Sequence, residues 1–221
     1  MIRSITRAKR EEELDQLMNS FQRLFIVGCG TCTTMMRTGG VEEVQAMKER
    51  LLGKGKAITG HTVVPVACDT LSPEILEAHK EALVPSEALL IMTCAFGVQN
   101  LAQQLDKPVI PALDTLFIGK ERGLGLFEEV CRQCGECILG ETGGLCPETN
   151  CHKGLVNGPC GGTNDGKCEI DPQKDCVWTL IYQRLHAQGK LDRMRKYQPL
   201  RNHQVSPRPG KAFVPTEERS A

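Results

Sequence analysis

Leu24-Phe25-Ile26-Val27-Gly28-Cys29-Gly30-Thr31-Cys32 is a short apolar run that stops at a glycine and sets two thiols just past its end. Leu24 to Val27, bounded by glycine, reads as a buried strand. Upstream, Thr6 to Leu24 carries a charged helical pattern, with Leu14, Leu17, Met18 and Phe21 at spacings of three and four. Downstream, Gly39-Gly40 precedes an amphipathic helix whose stripe is Val41, Val44, Met47 and Leu51. A second strand, His61 to Ala67, runs into Cys68-Asp69. Ser72-Pro73-Glu74 then opens a helix with an N-cap and a proline in its first turn. The third strand, Ala88 to Thr93, ends in Cys94, a helix follows from Val98 to Leu105, and Lys107 to Leu113 reads as a fourth strand.

Strands alternating with helices imply parallel βαβ units with right-handed crossovers. The fold class expected for residues 1–125 is therefore α/β, a small parallel sheet of Rossmann or flavodoxin-like type. In such sheets, ligands bind just past the carboxyl ends of the strands. Cys29, Cys32, Cys68 and Cys94 all fall there, after three successive strands, and are the expected ligands of one cofactor site. Two alternatives stand beside this. Cys68 and Cys94 could be ordinary buried cysteines, and Cys29-Gly30-Thr31-Cys32 a thioredoxin-like redox pair. A dinucleotide fingerprint is incomplete, because Gly28-x-Gly30 continues to Thr33 instead of glycine.

The chain holds 12 cysteines in 221 residues and only 5 histidines. Eight of the cysteines lie between Cys131 and Cys176, in a Gly-rich stretch with few apolar runs. That segment buries too little to offset its conformational entropy, so residues 126–197 are expected to form an irregular domain held by its cofactors. Cys131-x2-Cys134-x2-Cys137 has the spacing that wraps three corners of a four-iron cluster. Cys146, followed by Pro147, is a candidate fourth ligand. Cys151, Cys160, Cys168 and Cys176 complete eight thiols, enough for two four-thiolate sites, and spacing does not say which cysteine serves which. Zinc is the alternative for part of Cys146, Cys151, Cys160, Cys168 and Cys176. His152 is expected as a bystander or an outer donor. Trp178 and Tyr182, on a helix from Val177 to Gln188, are expected to pack against the cysteine-rich loops. Residues 198–221, with Pro199, Pro207, Pro209 and Pro215, read as an extended tail that a partner would order.

Lys plus Arg number 27 and Asp plus Glu 27, so no global basic field favours nucleic acid. The basic cluster Arg184, Lys190, Arg193, Arg195, Lys196 and Arg201 reads as a solvated helix face. Met1-Ile2-Arg3 leads into a charged run from Arg7 to Asp15 without a signal-peptide core, and no apolar span reaches membrane length. A cytoplasmic location without membrane insertion is expected, where thiols stay reduced and free for metal. No hydrolase triad, P-loop or metal-hydrolase motif is present, so no catalytic residue is assigned and the chain reads as a conduit for electrons. Rival readings are a zinc-organised docking module without electron transfer and a thiol-disulfide protein using Cys29 and Cys32.

Cys131-Arg-Gln-Cys134-Gly-Glu-Cys137, Thr142-Gly-Gly-Leu-Cys146-Pro, Asn157-Gly-Pro-Cys160-Gly-Gly and Gly166-Lys-Cys168-Glu resemble the small iron–sulfur subunit associated with methylenetetrahydrofolate reductase in anaerobes, a unit also found as a C-terminal extension of some reductases. Val27-Gly-Cys29-Gly-Thr-Cys32 and Thr93-Cys94-Ala-Phe-Gly-Val-Gln extend the resemblance over nearly the whole chain. The resemblance implies a partner barrel subunit carrying FMN or FAD, which reduces methylenetetrahydrofolate to methyltetrahydrofolate in the methyl branch of the acetyl-CoA pathway. Ferredoxin or a larger flavin and iron–sulfur complex would donate the electrons. It further implies three [4Fe–4S] clusters, one on Cys29, Cys32, Cys68 and Cys94 and two on the later eight cysteines. The fallback is two clusters with zinc or free thiols.

Overall fold

The computed structural model of the chain describes residues 1–70, 72–206 and 209–211. Two compact units divide it, Met1–Glu128 and Glu129–Ala221.

The first unit contains a parallel sheet built from β2 (Arg23–Cys29), β3 (Ala57–Val64), β4 (Ala88–Met92) and β5 (Val109–Pro111), in the spatial order β3-β2-β4-β5. Around it lie α1 (Glu11–Met18), α2 (Cys32–Met35), α3 (Val41–Gly53), α4 (Ser72–Glu77), α5 (Lys80–Leu83) and α6 (Ala95–Gln104). Successive residues of a strand point to opposite faces. Leu24 and Ile26 accordingly join Leu14, Met18, Val44, Leu51 and Leu90 in one core. Phe25 and Val27 join Leu76, Leu83, Leu89, Ile91 and Leu101 in the other. Both faces are covered, so β2 from Leu24 to Val27 and β4 read as unbroken apolar runs, and every residue of β4 is buried. This is the α/β fold with a small doubly wound sheet.

The helical stripes are narrower than periodicity implies. In α1, Leu14 and Met18 are buried while Leu17 is exposed, and in α3, Val44 and Leu51 are buried while Val41 is exposed. α3 opens with Gly40 as N-cap, whose N–H donates to the Glu43 carboxylate at 2.9 Å.

A second sheet in this unit is antiparallel and was not expected. β1 (Ile2–Ala8) pairs with β6 (Leu113–Gly123), which neighbours β7 (Leu126–Glu129). Helical periodicity from Thr6 is thereby corrected, because Thr6 to Ala8 are strand and α1 begins at Glu11. The register shifts between Ile5 and Thr6, and Ser4, Ile5 and Thr6 are all buried. A bulge of this kind breaks the two-residue alternation by which a strand is recognised. The partner strand lies more than a hundred residues away, with Ile2 opposite Lys120.

The second unit has little regular structure: α7 (Pro147–Asn150), α8 (Val177–Ala187) and two 3-10 turns, Leu191–Arg195 and His203–Val205. Val177, Trp178, Ile181 and Leu185 of α8 form its small core, with Leu145, Cys151, Cys176, Leu191 and Met194 packed against it. Trp178 is buried and its Nε1–H donates to the Leu155 carbonyl at 3.0 Å. Tyr182 does not share that role. It lies off the 178-181-185 stripe, is half exposed, and stacks on His186 with ring centroids 6.0 Å apart.

Part of the 198–221 segment runs back along the unit. The Gln198 N–H donates to Asn157 Oδ1 at 2.7 Å, the Asn202 N–H to Glu136 Oε2 at 3.0 Å, and Ser206 Oγ to the Gln133 carbonyl at 3.4 Å. Pro207, Arg208 and residues 212–221 lie outside the described residues. Among the described residues, no helix is long and apolar enough to cross a membrane.

Candidate thiolate sites

All twelve cysteines are free thiols. In the order β3-β2-β4-β5, β2 leads to β3 on one side and β4 lies on the other, so the crossovers diverge between β2 and β4. That crevice is where open α/β sheets bind ligands. Cys29 ends β2, with Cys32 one turn further at the start of α2; Cys68 follows β3, and Cys94 is the N-cap of α6 directly after β4.

The strands come close enough here that side chains are excluded. The Gly39 carbonyl accepts from the Cys29 N–H at 3.0 Å, and a Cβ on Gly39 would stand 1.9 Å from the Met92 carbonyl oxygen. Only glycine lets this loop lie over the switch point. Cys29 is buried; its Sγ lies 3.2 Å from Thr31 Oγ1 and accepts a 3.4 Å hydrogen bond from the Ala67 N–H, one residue before Cys68. Cys94 is buried, Cys32 half-buried and Cys68 exposed. Although Cys68 as a residue is exposed, local loss of water pushes its thiol up, and the charges of Cys94, Cys29 and Cys32 push it further. Four thiols from three strand ends thus feel one another.

The later eight fall into two neighbourhoods. Cys131, Cys134 and Cys137 lie on an irregular loop after β7. Gln133 (φ 50) and Gly135 (φ 85) flank Cys134 in the left-handed region, so the chain doubles back there. The Gln133 N–H donates to Cys131 Sγ at 3.4 Å, and Cys134 Sγ approaches the Glu136 carbonyl at 3.6 Å. Cys134 shares an open pocket with Arg132, Glu148, Arg201, His203 and Ser206. Arg201 lines this pocket with Cys134, whose sulfur raises the guanidinium pKa, and donates to Glu148 Oε1 at 2.7 Å. Glu148 belongs to α7, whose N-cap is Cys146.

Cys151, Cys160, Cys168 and Cys176 line a separate, small cavity with Thr163 and Trp178. Cys151 caps the far end of α7, its N–H bonded to the Pro147 carbonyl at 2.9 Å. Cys168 and Cys176 are brought together by a tight turn, in which the Cys168 N–H donates to Lys174 O at 2.9 Å and the Cys176 N–H to Gly166 O at 2.7 Å. Cys160 hydrogen-bonds Lys153 and Glu169. Burial pushes the Cys176 thiol up, but donors from the Thr163 hydroxyl and from the backbone N–H groups of Thr179 and Trp178 outweigh it, so the thiol sits below its ordinary value. The N-terminus of α8 is the source of those N–H groups. His152 also lines the cavity, its Nε2 3.9 Å from Asp171 Oδ2.

Among the described residues, no three His, Cys, Asp or Glu side chains are gathered as a set that could hold a metal ion. The donor chemistry fits a thiolate-bound centre nonetheless. All the candidate ligands are soft, and those around the small cavity face shared space. The hydrogen-bond donors on Cys29 and Cys176 were not legible in the sequence. Composition puts Arg201 on a solvated basic face, and only the returning chain sets it in a pocket with Cys134.

No curated protein and no solved structure matches the chain. Residues 110–204, which include all of the cysteines from Cys131 to Cys176, match the family described as methylene-tetrahydrofolate reductase C terminal, and over this stretch the chain is similar to that family.

Proposed function

We propose that this chain is the electron-transfer subunit of a methylenetetrahydrofolate reductase complex, passing electrons to the flavin of a partner barrel subunit. Supporting it above all is the placement of Cys29, Cys32, Cys68 and Cys94 past the ends of three strands of a parallel sheet, at its switch point, in a chain whose other eight cysteines lie in a reductase-associated family stretch. On this reading Cys29, Cys32, Cys68 and Cys94 would hold one [4Fe–4S] cluster, and Cys131, Cys134, Cys137, Cys146, Cys151, Cys160, Cys168 and Cys176 two more. When bound, such clusters supply one-electron transfer at potentials set by charge, hydrogen bonds to sulfur and solvent access.

This chain's own residues control those settings. Ala67 donates to Cys29, Arg201 sets its positive charge in the Cys134 pocket, and Thr163 and the start of α8 donate to Cys176. Each donor favours the more negative, reduced state of whatever its sulfur binds. Burial of Cys29 and Cys94 keeps water from the sheet-edge site. Reducing methylenetetrahydrofolate to methyltetrahydrofolate consumes two electrons, which a flavin can collect from one-electron carriers. Folate and flavin would be bound by the partner, and ferredoxin or a larger flavin and iron–sulfur complex would load this chain.

Anaerobic purification, iron and sulfide analysis, and electron paramagnetic resonance of the reduced protein test the proposal. Brown protein with several irons per chain, able to reduce the flavin of the reductase barrel, is expected. Colourless protein with stoichiometric zinc would remove the electron-transfer reading.

A further inference from the structure

The eight later cysteines divide by position, and the division falls between Cys146 and Cys151. α7 separates them: its N-cap is Cys146 and its C-cap is Cys151. Beyond the Cys146 end, Glu148 bonds Arg201 in the pocket that Cys134 lines, beside the Cys131–Cys137 loop. At the other end, Cys151 packs against the α8 core and faces the small cavity. The 164–175 turn carries Cys168 and Cys176 to that same cavity through backbone hydrogen bonds of 2.9 and 2.7 Å. Cys160 arrives from a loop pinned by Lys153 and Glu169, themselves ion-paired. None of Cys131, Cys134, Cys137 or Cys146 lines this cavity.

We infer that Cys151, Cys160, Cys168 and Cys176 form one four-thiolate metal site, and that Cys131, Cys134, Cys137 and Cys146 form another. This rests on the reading that these cysteines hold soft metal, but the grouping can fail while that reading stands. The shared chemistry is a centre bound by four thiolates, with Thr163 and the first turn of α8 donating to the Cys176 sulfur. Iron–sulfur cluster and zinc both satisfy it.

The grouping is tested on the full chain, purified anaerobically, without any substitution. A chelator is added in steps, each step is quenched with iodoacetamide, and alkylation at every cysteine is read by peptide mass spectrometry beside iron and zinc content. Cysteines that share a centre lose protection together, so Cys151, Cys160, Cys168 and Cys176 should become alkylated in one phase. Cys131, Cys134, Cys137 and Cys146 should follow in a different one. The metal lost in each phase says whether iron or zinc occupied that set. In parallel, Cys168→Ser and Cys176→Ser should each remove the metal of the first set and leave the protection of Cys131, Cys134 and Cys137 unchanged. Protection of Cys151 that tracks Cys134 instead of Cys168, or mixed phases in metal-loaded protein, would overturn the grouping. Wild-type protein with zinc in both sets and no iron on Cys29, Cys32, Cys68 and Cys94 would keep it and sink the electron-transfer proposal; protein without metal would sink both.

Discussion

Arg201 and Glu148 are 53 residues apart in the chain and meet in a 2.7 Å hydrogen bond, with side chains 23% and 18% exposed. The same residue shares a pocket with Cys134, and Asn202 and Ser206 bond Glu136 and Gln133, so a segment that composition alone marks as an extended tail is anchored on a cysteine loop. A cation beside a ligand sulfur stabilises the reduced, more negative state and raises the potential. Arg201→Gln should therefore lower the midpoint potential of the centre bound by the Cys131–Cys137 loop, while Arg201→Lys restores part of it. Redox titration followed by electron paramagnetic resonance reads the shift, and an unchanged potential in Arg201→Gln would remove the tuning role.

In metal-free protein the thiols should report their surroundings by pH. Cys68 is held above the ordinary thiol value by burial and by Cys94, Cys29 and Cys32, so its alkylation should accelerate only at higher pH than a free thiol requires. Cys94→Ser should bring that inflection down. Cys176 should show its inflection below the ordinary value. Alkylation rates by mass spectrometry across a pH series check both directions.

Gly39→Ala should be among the most damaging single changes in the first unit. Its Cβ would meet the backbone oxygen of Met92 at 1.9 Å, and a backbone atom cannot swing aside as a side chain can. A cost above about 3 kcal/mol is expected, at or beyond the top of the range for overpacked cores. Gly53→Ala, where nothing lies within 4 Å, serves as the control. Denaturant unfolding of both variants decides it.

The antiparallel sheet should lose stability in acid. Asp114 accepts from Lys9 at 2.6 Å, and this hydrogen bond holds its carboxyl below the usual carboxylate range. A depressed carboxylate contributes stability above its unfolded value, and the contribution disappears as pH falls through the folded one. Asp114→Asn should thus be less stable than wild type at neutral pH, and the gap should close below the ordinary carboxylate range. Thermal unfolding from neutral to acidic pH measures it.

Trp178 is the largest side chain in the small core of the second unit. Trp178→Ala should cost about 3–5 kcal/mol, while Trp178→Phe should cost about 1 kcal/mol through the lost bond to Leu155. Tyr182→Phe, at a half-exposed position, should change little. Unfolding monitored by far-ultraviolet circular dichroism ranks the three.

Leu24 to Val27 and Ala88 to Met92 were readable as strands because burial on both faces leaves a continuous apolar run in the sequence itself. The placement of Cys29, Cys68 and Cys94 after strands followed, since it needs only chain order and the rule that parallel strands share an edge. β1 was not readable. Its alternation is broken between Ile5 and Thr6, and its stability comes from β6. The same limit applies to Cys151, Cys160, Cys168 and Cys176, whose shared cavity depends on a turn at 164–175 and on how α7 and α8 pack. Local order, strand type and the soft chemistry of the ligands are written in neighbouring residues, where spacing and propensity act. Which sulfurs face one another, and that Arg201 shares a pocket with Cys134, are long-range relationships, settled by the folding of loops whose partners no local pattern names.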